Sequence, residues 1–426
     1  MKKISLRIMC LCLAAALCFG LIACGNQAAD PTTEGTTLST TQTTTSTQTT
    51  TEATTEATTQ ATTAATVDDG EPNYNVLTST NPIKNIIIII GDGMGLKHLD
   101  VGMLYDDKEY EFTKWPMVRV NTYPLVDASG EISSEPTDSA ASGTAMATGK
   151  LTVNGRIGQD AEGNNLDTIM DLANSMGKAT GVVTTDALHG ATPSAFSAHA
   201  SYRDNKNEII PTQLTSGVNL LCSFAQNDYT LISYEIKQKG YAFCENFANV
   251  DSTFSSEYAL WQLDMYGTDA TNPLEMVTPK ALEYLSQDPD GFVLMLEQAH
   301  VDKYSHANDF DSVCKAVSSL NKTVEAVMEW VGDRTDTLVL ITADHETGGL
   351  QINNNPEKYA NSKAFASKEI SYEFRSTNHT GSNVALYVYG VTADFTRSDL
   401  YKKKVLKNIG IYYLMEEALT AGQGTK

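Results

Sequence analysis

Five consecutive isoleucines, Ile86–Ile90, run directly into Gly91-Asp92-Gly93-Met94-Gly95. A row of β-branched side chains offers no polar face to water, so it reads as a strand buried on both sides, the habit of central parallel strands. Similar short apolar runs recur at Thr180–Thr184, Phe292–Leu296, Leu338–Ile341 and Val384–Tyr389. Helix-like stretches, including Leu166–Ser175 and Ser312–Val331, lie between them. Strands alternating with helices predict an α/β fold, a doubly wound, mostly parallel central sheet with helices on both faces.

Polar residues follow these strands in a regular way. Asp92, Glu297 and the pair Asp344-His345 come at or just after the last residue of an apolar run. Open α/β sheets bind ligands at the carboxyl ends of their strands. Carboxylates gathered on that edge would repel one another unless cations neutralise them, so a multi-metal site is the economical solution. Further donors stand close by. Asp302 and His306 share one face at i, i+4 if the chain is helical there, and His379 lies in Thr377-Asn378-His379, a loop before the last strand.

Ser139 sits in TDSAASGTAMATG, a run of small residues suited to a tightly packed helix, with Thr137 and Asp138 available as caps. A hydroxyl at a helix N-terminus faces backbone amides and the positive end of the dipole, a setting suited to phosphate. No Gly-x-Ser-x-Gly elbow surrounds it, so activation would come from a metal rather than a serine-hydrolase triad. Arg203 closes HGATPSAFSAHASYR, and an arginine fork grips two phosphate oxygens at once.

Together these residues resemble the alkaline phosphatase family. Six motifs stand in family order across nearly all of residues 84–420: IIIIIGDGMG, TDSAASGTAMATG, HGATPSAFSAHASYR, LEQAHVDKYSHAND, TADHETGG and NHTG. The resemblance implies a metal-dependent phosphomonoester hydrolase with two zinc ions and one magnesium ion per chain, acting on a range of phosphate monoesters. It implies Ser139 as the nucleophile that takes the phosphoryl group and Arg203 as the phosphate clamp. Asp302, His306 and His379 would hold one zinc, and Asp92, Asp344 and His345 the second, beside Ser139. Asp92 would also reach the magnesium, completed by Thr192 and Glu297. Lys303 matches a lysine that in bacterial relatives meets phosphate through water and pairs with an Asp just before the Ala-Thr-Pro motif. Gly190 stands at that position here, so the resemblance leaves Lys303 without its partner. A homodimer is likewise a family expectation. A phosphodiesterase or nucleotide pyrophosphatase of the same superfamily is the competing enzyme reading, but those usually use Thr as nucleophile and lack the magnesium ligands and the arginine clamp. A non-catalytic surface lipoprotein is the competing reading from another class.

Composition completes the picture. Lys2, Lys3 and Arg7 precede a short apolar run that ends Leu21-Ile22-Ala23-Cys24, a secretory leader at residues 1–23 whose end resembles a bacterial lipobox, with Cys24 as the lipidated residue. Losing those three cations moves the net charge from -22 to -25, and such a chain does not coat nucleic acid. Residues 24–83 form a linker; positions 31–66 are dominated by threonine, with TEAT, TEAT, TQAT and TAAT in tandem from Thr51, and cannot bury enough apolar area to offset chain entropy. Residues 84–426 are then the catalytic domain, tethered through lipidated Cys24 at the outer face of the bacterial cell membrane. Of its three cysteines, Cys222, Cys244 and Cys314, an extracellular setting permits one disulfide, with Cys222–Cys244 the candidate. Residues 205–275 carry no readable motif.

Overall fold

The computed structural model describes residues 83–224, 228–263, 273–354, 370–390 and 405–421. The leader, the Thr-rich linker and the lipidation site at Cys24 lie outside the described residues. In chain order the strands are β1 (Asn85–Gly91), β2 (Met117–Asn121), β3 (Ala179–Thr184), β4 (Leu220–Ser223), β5 (Tyr241–Cys244), β6 (Tyr258–Gln262), β7 (Phe292–Gln298), β8 (Thr337–Thr342), β9 (Glu346–Thr347), β10 (Gln351–Ile352), β11 (Tyr372–Glu373), β12 (His379–Thr380), β13 (Val384–Tyr389) and β14 (Val405–Lys407).

Ten of them form one sheet in the order β14-β2-β13-β8-β1-β7-β3-β4-β6-β5. The isoleucine strand β1 sits inside it, parallel to β7 on one side and β8 on the other, with Ile88 opposite both Met295 and Leu340. All five isoleucines are fully buried, which is why no polar residue interrupts the run. Only β13 runs antiparallel to its neighbours β8 and β2. One helical layer contains Leu96–Asp106, Pro273–Leu285 and Phe310–Val331, and another contains Ser139–Thr148, Ile169–Ser175 and Ile409–Thr420. The sheet is sandwiched between them, as the alternation of strands and helices implied.

Two expectations change. The stretch without motifs, 205–275, supplies β4, β6 and β5, which extend the sheet beyond β3 by parallel pairing. The candidate disulfide is absent: Cys222, Cys244 and Cys314 are all free and buried. Register explains it, because Cys222 and Cys244 both stand opposite Trp261 on either side of β6. Two strand spacings, about 9.6 Å, separate their backbones, beyond the roughly 7 Å that a disulfide can span.

The central strand has no slack on either face. Ile88→Ala should therefore lower unfolding free energy by about 2–5 kcal/mol, the cost of removing a buried aliphatic side chain where the surroundings cannot collapse. Denaturant unfolding of the two proteins measures it, and a loss below about 1 kcal/mol would contradict this packing.

Candidate active site

The carboxyl ends of β1, β3, β7 and β8 converge on one pocket of about 180 Å³ whose lining includes Asp92, Ser139, Thr192, Arg203, Glu297, Asp302, Lys303, His306 and His379. Asp344 and His345 lie beneath it, fully buried. Asp92 is delivered by a turn that only glycine can make: Gly93 has φ +70°, and a Cβ there would stand 2.8 Å from Thr347 Oγ1 and 2.9 Å from Asp302 Cα. The Gly93 amide also donates to Asp344 Oδ1 at 3.1 Å, which ties the ends of β1 and β8 together.

Three donor atoms form a first triangle. His306 Nε2 lies 3.3 Å from Asp302 Oδ1, His379 Nε2 lies 3.6 Å from the same oxygen, and the two nitrogens are 3.2 Å apart. A tetrahedron whose centre is about 2.0–2.1 Å from each corner, the length of a zinc–nitrogen or zinc–carboxylate bond, has edges of about 3.3 Å. The helix His300–His306 supplies two corners at i, i+4, as its spacing suggested. A second triangle surrounds His345 Nε2, with Asp344 Oδ2 at 3.3 Å and Asp92 Oδ1 at 3.5 Å. His345 also stacks on His379 with ring centroids 3.6 Å apart, so it borders both groups.

The imidazoles are oriented by what holds their other nitrogen. His306 Nδ1 donates to the Thr377 carbonyl at 2.6 Å and His379 Nδ1 to the Thr137 carbonyl at 2.8 Å. When neutral, both rings aim an Nε2 lone pair at the centre of the triangle, an arrangement that repels itself unless a cation or a proton lies between them. The oxygens point the same way. Asp92 Oδ1, Asp344 Oδ2 and Thr192 Oγ1 are buried without a hydrogen-bond partner among the described residues. Orphaned buried acceptors at the corners of nitrogen–oxygen triangles are what a metal site leaves behind, so the residues present fit two zinc ions. Asp92, Thr192 and Glu297 add a set made only of oxygen, the donor type magnesium prefers.

Electrostatics agrees. Burial pushes the Asp92 carboxyl well above its usual value, and the charges of Asp344, Asp302 and Glu297 push it the same way. Burial likewise raises Glu297 to about 8, although Thr184 Oγ1 hydrogen-bonds to it. Asp302 differs: burial works against its charge, but hydrogen bonding with His306 and the nearby His345 outweigh it and hold the carboxyl low. His306 is raised to about 8 by its bond to Asp302, and burial lowers His379 to about 4.

Ser139 is the first residue of the helix Ser139–Thr148, all of it buried. Its Oγ stands 3.2 Å from His345 Nε2. Asp138 caps that helix through Oδ1 to the Ala141 amide at 2.9 Å, and its Oδ2 accepts from Arg203 Nη1 at 3.0 Å. One carboxylate therefore fixes both the serine's helix and the arginine.

A family model for alkaline phosphatase matches residues 83–223 and 258–373. The chain belongs to the alkaline phosphatase family. It is 32% identical to alkaline phosphatase 3 of Bacillus subtilis over 63% of this chain and 62% of that protein. To alkaline phosphatase 4 of the same organism it is 31% identical, over 68% of each. The chain thus spans less than two thirds of the first of these relatives. Among solved structures, a cold-active alkaline phosphatase from Shewanella sp. superposes with a TM-score of 0.69 at 25% identity, covering 79% of this chain and 99% of that one.

One expectation is overturned. Lys303 has a partner, because its ammonium donates to Asp186 Oδ1 in the connection after β3. Asp186 obeys the rule that points to Asp92, Glu297 and Asp344, a carboxylate just after an apolar strand, but no motif marks it. The sequence marks Asp138 only as a cap, and nothing local shows that it also holds Arg203.

Metal-free protein should become less stable as pH rises from 6.5 to 8. Glu297 and His306 keep folded values near 8, above their ordinary 4.5 and 6.5. Each binds more proton folded than unfolded across this window, so the stability it contributes is lost as pH rises through 8. The lowered His379, His98 and His300 act oppositely, but most of their change lies between pH 4 and 6.5, so above pH 6.5 they offset only part of the loss. Thermal unfolding of chelator-stripped protein should give a lower melting temperature at pH 8.5 than at pH 6.5. Zinc and magnesium should close the gap, because they take the protons' place. A metal-free melting temperature that climbs over this range would contradict the assignment.

Proposed function

We propose that the protein hydrolyses phosphate monoesters through a covalent phosphoserine on Ser139, with two zinc ions and one magnesium ion. The observation that carries the reading is the Ser139 hydroxyl at the N-terminus of a buried helix, 3.2 Å from His345 Nε2 and so at the edge of the Asp92–Asp344–His345 triangle. Asp302, His306 and His379 would hold one zinc, Asp92, Asp344 and His345 the other, and Asp92, Thr192 and Glu297 the magnesium. When bound, these ions offset charge developing on the attacking and departing oxygens and favour the deprotonated hydroxyl.

The chain's own residues do the rest. Arg203, held by Asp138, offers its remaining guanidinium donors to two phosphoryl oxygens and fixes the phosphorus for in-line attack. The Ser139 oxygen forms the new bond to phosphorus as the ester oxygen leaves with the bonding pair and takes up a proton. Water then attacks the phosphoserine from the vacated side, the Ser139 oxygen leaves, and inorganic phosphate is released with net retention. The helix N-terminus beneath the serine favours the anion throughout.

Ser139, Thr192, Glu297 and Arg203 in one pocket favour monoesters over diesters, because a diester carries one less charge and leaves an arginine donor unmatched. Lys2, Lys3, Arg7 and the apolar run ending at Cys24 support secretion and lipid anchoring at the outer face of the membrane, with the Thr-rich linker as spacer and residues 84–426 as the catalytic domain. Dimerisation rests on the family alone.

Turnover of p-nitrophenyl phosphate should exceed that of bis(p-nitrophenyl) phosphate, and faster diester turnover would favour the phosphodiesterase reading. Ser139→Ala should lower kcat by roughly four orders of magnitude or more, the scale of losing a nucleophile from an interdependent set. Prolonged EDTA should abolish activity, and zinc plus magnesium should restore it. Metal-loaded protein no more active than Ser139→Ala would support a non-catalytic surface lipoprotein instead.

A further inference from the structure

Ser142 is a fully buried hydroxyl that the chemistry above leaves without a role. It lies one turn along the helix from Ser139, on the same face. Its Oγ donates to the backbone carbonyl of Asp344 at 2.6 Å, while Ser139 Oγ stands 3.2 Å from His345 Nε2. Two hydroxyls one turn apart therefore meet two consecutive residues in the connection between β8 and β9. A helical serine or threonine commonly returns its hydroxyl to a carbonyl of its own helix. Thr148 does so in this helix, donating to the Thr144 carbonyl at 2.7 Å. Ser142 instead directs its proton to a segment 202 positions away.

Asn408 completes the arrangement from the other side. Its Nδ2 donates to Ser142 Oγ at 3.4 Å. Asn408 is itself buried and fixed: its amide donates to the Asn121 carbonyl at the end of β2, and its Oδ1 accepts from the Ile409 amide at 3.1 Å, capping the helix Ile409–Thr420. The donated hydrogen takes a lone pair of the Ser142 oxygen, which leaves the hydroxyl proton for the Asp344 carbonyl.

We propose that Ser142 is a positioning residue that sets the distance between the Ser139 hydroxyl and the Asp92–Asp344–His345 triangle, and that Asn408 acts through it. Nothing covalent links this helix to the β8–β9 connection, and a displacement of about 1 Å can cost about a hundred-fold in rate. Removing the hydroxyl frees the helix on that face and leaves a buried carbonyl unpartnered on the residue that supplies Asp344 Oδ2 to the triangle. The inference rests on the reading of Ser139 as nucleophile beside the second zinc.

The test uses zinc- and magnesium-loaded protein, with Ser142→Ala, Ser142→Thr, Asn408→Ala and the double alanine variant. Thr148→Val serves as the control, a buried hydroxyl lost from the same helix. The readouts are kcat/KM for p-nitrophenyl phosphate and zinc affinity by chelator competition, which needs no turnover. Ser142→Ala should lower kcat/KM by about ten- to hundred-fold and weaken one of the two zinc ions by about ten-fold or more, as loss of an outer hydrogen-bonding partner does. Ser142→Thr keeps the hydroxyl and should restore most of both, and Thr148→Val should move neither. Asn408→Ala should lose less, and the double variant no more than Ser142→Ala. Ser142→Ala that matches the parent, weakens both zinc ions alike, or is not rescued by Ser142→Thr overturns the inference. If Ser142→Ala does not fold, Asn408→Ala carries the test, and kcat/KM unchanged there overturns it too. Ser139→Ala separates the two claims: if it turns over like the parent, the nucleophile reading falls and the inference with it. If Ser139→Ala is inactive while Ser142→Ala matches the parent, only the inference falls.

Discussion

Asp92 and Glu297 are brought by different strands to the carboxyl edge of one sheet, beside Asp302 and Asp344, where burial and the neighbouring charges oppose their ionisation. Carboxylates so placed must hold protons or cations. Much of the local structure follows from that requirement. Gly93 adopts a left-handed turn so that Asp92 can reach the site, and the Gly93 amide ties down Asp344. Thr184 holds Glu297, and Thr347 Oγ1 donates to Asp302 at 2.5 Å. In the metal-free state His306 is the proton carrier within the first triangle, beside a His379 that burial keeps neutral.

The same edge places Ser139. Its helix is buried among the helices Ala191–Ala195 and Ile409–Thr420 because every residue from Ser139 to Thr148 is small or slender enough to be buried. That close packing brings the helix N-terminus against His345. Asp138 then couples Ser139 to Arg203, since one carboxylate caps the helix and holds the guanidinium. A shift of that helix would move the serine and the arginine together, which preserves their spacing.

Strand identity was legible where burial is two-sided. The run Ile86–Ile90 and the segment Val384–Tyr389 announce themselves because no polar residue can interrupt a strand covered on both faces. β4, β5 and β6 were not legible: they are four or five residues long and lie among short helices, so no period stands out. Among the candidate metal ligands, Asp92, Glu297, Asp344 and His345 are legible through position at or just beyond a strand end, and Asp302 and His306 through spacing along one helix face. Asp186 obeys the same rule but belongs to no motif that drew attention to it. The carbonyls of Thr377 and Thr137 that orient His306 and His379 could not be read, because a backbone acceptor carries no signature in the side-chain sequence.

The sequence by itself determined the α/β class, the carboxyl-edge location of the site and its donor types, because these depend on local periodicity and on which residues follow each strand. Tertiary structure decided which donors meet. Lys303 pairs with Asp186, 117 positions away, because β3 and β7 are neighbours in the sheet. Cys222 and Cys244 stay apart because β6 lies between their strands. Strand order is fixed by packing across the whole chain, and no local pattern encodes it.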